Sequence, residues 1–173
     1  PKVGTPGETT VMPARITGPF AISYQQYNVD STRQRFETII RVLVPDGIER
    51  IERPRVVYAL PSGPELSHRS GDVIETVLAE DLHDRYGMVV VAPTYAEWPW
   101  MTDLPDNPMF EQVLYFLEDV VPLFDRQYPG SSRLLLGYSK GGCASLQLLL
   151  RYPELFQATA LFDSPIMKEL PDQ

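Results

Sequence analysis

The chain has 173 residues, enough for one domain with its own core, and is 43% hydrophobic and 22% charged, ordinary values for a globular protein. A net charge of −8 leaves no basic surplus to neutralise phosphates, which excludes a nucleic-acid binder. A single cysteine, Cys143, excludes an internal disulfide framework, and the two histidines, His68 and His83, supply metal chemistry poorly, so neither a metal nor a cofactor is expected. No apolar run approaches the ~18 residues that a membrane span needs.

Residues 1–19 are rich in Pro, Gly and Thr and read as an extended arm, ordered only where a sheet edge holds it; residues 20–173 are expected to form the domain proper. The chain opens on Pro1 and closes on Pro171-Asp172-Gln173 without a terminal element. It is therefore expected to be a fragment, and both a cytoplasmic location and secretion after loss of a leader stay open.

Phe20–Val29 and Arg35–Val44 read as strands, the second alternating with period two, with Asp30-Ser31-Thr32 as the turn between them. Pro45-Asp46-Gly47 ends the hairpin. Beyond it the pattern alternates between strands and helices. Val56–Leu60 and Met88–Ala92 are short continuous apolar runs, as expected of strands buried on both faces. Asp72–Tyr86 carries Val73, Ile74, Val77, Leu78 and Leu82 at helical spacing and stops at Gly87. His83, flanked by Asp81, Asp84 and Arg85, is expected on the surface of that helix. A second helix is expected over Pro108–Tyr128, kinked or restarted at Pro122. An antiparallel hairpin followed by alternating strands and helices predicts an α/β fold. Its sheet would be mixed and mostly parallel, with helices on both faces and the hairpin at the N-terminal edge.

The most specific stretch is Arg133-Leu134-Leu135-Leu136-Gly137-Tyr138-Ser139-Lys140-Gly141-Gly142, an apolar strand, a bend and then a helix over Gly141–Tyr152. Gly-x-Ser-x-Gly at such a junction is the pattern of a nucleophile elbow. A serine held out at a sharp strand-to-helix turn needs neighbours without side chains, and the helix N-terminus favours a developing oxyanion. Phosphate-cradling loops are not matched, because Lys140 precedes its glycines rather than following them.

The elbow, the helix ending Arg151-Tyr152-Pro153-Glu154-Leu155-Phe156 and the strand Ala158–Phe162 together resemble the α/β-hydrolase fold. Within it the chain is similar to bacterial esterases of the esterase-D-like type, over roughly residues 20–168. The resemblance implies a serine hydrolase that cleaves a small-molecule carboxylic ester through an acyl-enzyme, with Ser139 as nucleophile. It implies an oxyanion hole at the backbone N–H of Lys140 and at Ser62 or Gly63. It also implies an acid and a histidine after the serine in chain order. Here the sequence departs from the pattern, since none of residues 140–173 is histidine.

Asp163, at the end of the strand after the elbow, stands where some α/β-hydrolases take their acid. A structural carboxylate bonded to loop N–H groups is the alternative, and Lys140 is a potential ion-pair partner for it. Tyr138, Tyr95, Trp98 and Trp100 are candidates for a substrate pocket, because ligands gather outside the C-terminal strand ends of such sheets. Core packing is the alternative for the loop aromatics, and Cys143 is expected to be a small packed side chain. His68 lies on the active rim but precedes the serine in chain order. A catalytically inactive binding module, or an acyltransferase or peptidase on the same scaffold, remain alternatives to the esterase. The last strand, Ala158–Phe162, would leave a sheet edge open, and a homodimer along that edge is expected.

Overall fold

The computed structural model describes residues 15–21, 24–63, 71–98, 101–104, 106–107 and 109–165. Two apolar clusters define its layers, and strand alternation sorts residues between them. Along β4 (Arg55–Leu60), Val56, Tyr58 and Leu60 enter one cluster while Val57 and Ala59 enter the other. A strand with both faces packed carries a continuous apolar run, so Val56–Leu60 reads as it does because helices cover both sides.

The sheet has seven strands in the order β1-β2-β3-β5-β4-β6-β7. β1 (Arg15–Ala21), β2 (Gln25–Asp30) and β3 (Thr38–Leu43) are antiparallel, and β3 joins β5 (Met88–Pro93) antiparallel. From β5 through β4 to β6 (Ser132–Tyr138) and β7 (Ala158–Phe162) every pairing is parallel, so four strands end at one edge. The expected mixed, mostly parallel sheet is present.

The N-terminal segment departs from expectation. Arg15–Pro19 belong to β1 rather than to an arm, and Ala21 pairs with Gln25, so the expected strand Phe20–Val29 is split between two. The β1–β2 register is irregular between Thr17 and Phe20, which is where Pro19, lacking an N–H, can sit in an edge strand.

The expected helix Asp72–Tyr86 is also two. α1 (Val73–Ala79) is capped by Asp72, whose carboxylate accepts from Ile74 N at 2.8 Å and also meets Arg41 of β3. Asp81, at φ 53°, then turns the chain into α2 (Leu82–Tyr86). This break re-aims His83, which is only 7% exposed rather than on the surface; its Nε2 lies 3.7 Å from Asp84.

On the other face one continuous helical rod runs through α3 (Gln112–Leu114), a π-helical stretch (Tyr115–Val120) and α4 (Val121–Gln127). Pro122 removes a donor, and a widened π turn lets the rod pass it without a break. The rod is tied to the β2–β3 connection by Asp119, which accepts from Ser31 Oγ at 2.6 Å and faces Arg33. Burial there pushes the Asp119 carboxyl up.

Under this rod Tyr58 stands edge-on to Phe116, Phe124 and Phe156. Its hydroxyl is buried and makes no hydrogen bond among the described residues, and burial, with the Asp125 carboxylate second, pushes the phenol far above its ordinary range. An unsatisfied buried hydroxyl costs about 1–3 kcal/mol. Tyr58→Phe is therefore expected to raise unfolding stability by about 1 kcal/mol, measured as a higher urea midpoint at unchanged slope.

Candidate active site

β6 ends at Tyr138 and α5 (Lys140–Arg151) begins two residues later, so Ser139 makes the whole turn. Its backbone sits at φ 52°, ψ −120°, a conformation that L-residues other than glycine rarely adopt. Ser139 N donates to Phe162 O of β7 at 3.2 Å, and Ser139 O accepts from Gly142 N and Cys143 N. The strained residue is therefore held from both sides by backbone, and its side chain is left at the C-terminal edge of the sheet.

The glycines explain how so tight a turn is possible. A methyl group on Gly137 would overlap the Gly141 carbonyl, one on Gly141 would overlap the Leu60 carbonyl, and one on Gly142 would overlap Ser164 Oγ. Strand β6, helix α5 and the end of β4 thus meet at contact distances that only glycine permits. Within α5 itself the fully buried Ser145 satisfies its hydroxyl by donating to Gly141 O, one turn back, at 2.8 Å.

This closeness sets out the rim. The first helical bonds are donated by Gly142 and Cys143, so the N–H groups of Lys140 and Gly141 lead the helix. Leu60 and Pro61 carbonyls lie against Gly141, which puts Ser62 and Gly63 beside the same helix end. Asp163 follows β7 directly, exposed and at φ 49°. Among the described residues its carboxylate makes no hydrogen bond and no ion pair with Lys140, so neither the expected loop bonds nor the expected pairing is formed there. Lys140 Nζ instead lies 4.8 Å from the centroid of the Trp98 ring.

The candidate pocket aromatics separate. Trp98, 51% exposed, reaches the elbow through that contact with Lys140. Tyr95 takes the core-packing alternative: it is 3% exposed and stands edge-on to Tyr115. Tyr138 lies tilted against Phe162, their ring centroids 4.8 Å apart, and both line a cavity of ≈ 580 Å³. That cavity does not sit over Ser139. It opens on the α1 face of the sheet, between Val73, Val77 and Leu82 on one side and Ala59 and Leu136 on the other, reaching the rim at Ser62. Trp100 and His68 fall outside the described residues.

Cys143 is half-buried, as a small packed side chain would be, but its thiol also donates to Pro165 O at 2.8 Å; burial pushes that thiol up. A polar residue the sequence reading passed over is Gln112, fully buried on α3. Its Nε2 donates to Trp98 O at 2.8 Å and its Oε1 accepts from Met101 N at 2.9 Å. Gln34 holds the same loop by accepting from Ala96 N at 3.0 Å. A glutamine inside an otherwise apolar helical pattern was the available signal.

Gly141→Ala forces backbone against backbone and is expected to cost about 3 kcal/mol in urea unfolding. Gly130→Ala, at φ +74° with nothing nearby to meet a methyl, is expected to cost about 1 kcal/mol, from backbone strain alone.

A family model described as "Putative esterase" matches residues 31–170. Among solved structures the chain is similar to an S-formylglutathione hydrolase from Agrobacterium tumefaciens, with TM-score 0.64 and 21% identity over 88% of this chain and 62% of that one. It is similar to a siderophore hydrolase from Aspergillus nidulans (TM-score 0.59, 18% identity, 91% of this chain and 60% of that one). It is also similar to a fluorophosphonate-binding serine hydrolase from Staphylococcus aureus (TM-score 0.61, 12% identity, 88% and 58%). At these identities the likeness establishes the α/β-hydrolase fold. The chain spans about three fifths of the length of these structures.

Proposed function

The chain belongs to the Putative esterase family, and we propose that it carries the nucleophile side of a serine esterase centred on Ser139. The observation that carries this reading is the strained Ser139 backbone at a turn walled by glycines that admit no side chain. Strain at one half-buried, polar, nucleophilic residue is not explained by apolar packing, whereas presenting Oγ to a ligand gives it a use.

In this reading Ser139 Oγ attacks the carbonyl carbon of a small carboxylic ester as its proton passes to a base. The carbonyl oxygen becomes an oxyanion between the backbone N–H of Lys140 and that of Ser62 or Gly63. Donors fixed in advance at a helix start stabilise that charge without reorganising. Collapse expels the alcohol and leaves an acyl-enzyme, which water then hydrolyses. Asp163, on the same rim, is the acid of this scheme, and Trp98 is part of its wall.

Serine is a weak nucleophile at its ordinary pKa and needs a base. Within the 173 residues both histidines precede Ser139, and His83 is packed on α2, an element at the α1 face. The 173 residues alone are therefore expected to react with a fluorophosphonate slowly, at Ser139, and Ser139→Ala is expected to abolish the adduct. Peptide mass mapping checks the position. Labelling as fast as a competent serine hydrolase would remove the claim that a base is wanting, and an adduct that survives Ser139→Ala would remove the nucleophile.

The sheet edge bears on assembly. β7 pairs with β6 on one side and has no strand on the other among the described residues; within it Phe162 is 63% exposed, and Ala158 and Ala160 are exposed with it. An edge strand with an apolar face invites pairing with a second copy. Light scattering is expected to give a dimer mass for these 173 residues, and Ala160→Lys is expected to return a monomer.

A further inference from the structure

We propose that Asp81, His83 and Asp84 form a binding site for a divalent cation of the zinc class, at the corner between α1 and α2. The site lies apart from Ser139. Helix α2 runs through Gly87 into the start of β5, at the opposite end of the parallel strands from the elbow. The proposal therefore does not rest on the esterase reading.

His83 is the observation that carries it. Its side chain is only 9% exposed, yet the imidazole makes no hydrogen bond among the described residues. Nδ1 is buried without a partner, and Nε2 faces Asp84 Oδ2 from 3.7 Å. Buried polar side chains are nearly always bonded, so a ring aimed at carboxylates without reaching them has a use still to be found. A direct charge-assisted bond would close to about 2.7–2.9 Å. The wider gap suits two ligands of one ion, since donors that each stand about 2.0–2.2 Å from zinc lie roughly 3–4 Å from one another.

Both carboxylates are available. Asp81 is the residue ahead of α2, where an aspartate ordinarily accepts from the first turn, but its side chain makes no such bond. Asp84 Oδ1 accepts from Asp46 N at 2.5 Å, which fixes the carboxylate with Oδ2 on the His83 side. Ligating carboxylates are commonly oriented by an outer hydrogen bond of this kind. One donor atom from each of the three residues lies within 4.8 Å of the others, and rotation of the exposed Asp81 side chain shortens the longest span.

The local charge favours a cation. Two carboxylates outweigh the about half a positive charge of a helix start, which is weaker still in a helix of five residues. Of the nearby cations, Arg85 is exposed and pairs with none of the three, and Arg55 donates to Tyr86 O at the far end of α2. One imidazole nitrogen with two carboxylates and no thiolate suits zinc and its neighbours, whereas magnesium and calcium take oxygen alone. A bound ion would tie the α1–α2 corner to the connection after β3 through Asp84 and Asp46, so binding would stabilise the fold.

The test titrates zinc chloride into the 173-residue chain by calorimetry, with magnesium chloride for comparison. Zinc is expected to bind with a stoichiometry of one and about tenfold or more tighter than magnesium. With free zinc about a hundredfold above Kd, the melting temperature is expected to rise by roughly 5–10 °C. His83→Gln and Asp81→Asn are each expected to weaken zinc by about tenfold or more. Asp81 is exposed, so Asp81→Asn decides the matter even where His83→Gln fails to fold. His68→Gln, Cys143→Ser and Ser139→Ala are expected to leave the affinity unchanged. The proposal is overturned by the absence of saturable zinc binding, by magnesium binding as tightly, or by undiminished affinity in Asp81→Asn. Loss of binding in His68→Gln or Cys143→Ser would overturn it too, by moving the ion elsewhere.

Discussion

Backbone meets backbone where β6 turns into α5. Gly137 faces the Gly141 carbonyl, and Gly141 faces the carbonyls of Leu60 and Pro61 at the end of β4. Three separate elements are thereby brought together at a spacing that no side chain could enter. The geometry of this edge follows from that approach. The helix N-terminus is pulled to the strand ends, the loop after β4 is carried beside it, and Ser139 is left in a conformation that a relaxed turn would not impose. The cost of that strain is borne by the parallel core beneath, where Val56, Tyr58, Val89, Val91 and Leu135 are buried under the helical rod.

A second constraint acts from the other side of the site. The loop after β5 contributes an exposed indole, yet it is held by buried polar groups rather than by apolar packing alone. Gln112 and Gln34 take up loop backbone groups, and Asp103 accepts from Val113 N at 2.9 Å to hold the start of α3. Loop and rod therefore position each other. Hydrogen bonds of this kind add modest stability but specify one arrangement, because breaking any of them leaves a buried group unpaired. The elbow and the Trp98 loop are two independently built supports, and they meet at the Lys140–Trp98 contact.

How much of this was legible in the chain differed by kind of feature. The buried strands, the elbow and the alternation of strands with helices stood out because apolar runs and glycine spacing are local signals. β7 was placed at Ala158–Phe162, as found, and α5 within one residue at each end. His83 was expected on the surface and Tyr95 stayed open between pocket and core for one reason: polarity of neighbours and loop position say little about burial when the chain turns. Asp81 breaks a helix that its periodicity continues, which carries His83 inward, and Tyr95 turns back against Tyr115 instead of facing the rim. The π turn ahead of Pro122 was visible only as a proline in a helical pattern, from which a kink was the simpler inference.

The sequence by itself determined the fold class and the position of the presented serine. Both rest on short-range rules: period-two and 3.6-residue patterning for the elements, and the absence of side chains at residues 137, 141 and 142 for the turn. Only the tertiary structure decided what surrounds that serine. One contact of Lys140 lies 42 positions away at Trp98 (140 − 98), and the amide that holds the Trp98 carbonyl comes from Gln112 on another element. Contacts between side chains distant in sequence depend on how the sheet orders its strands and where its loops turn, and no local pattern encodes them.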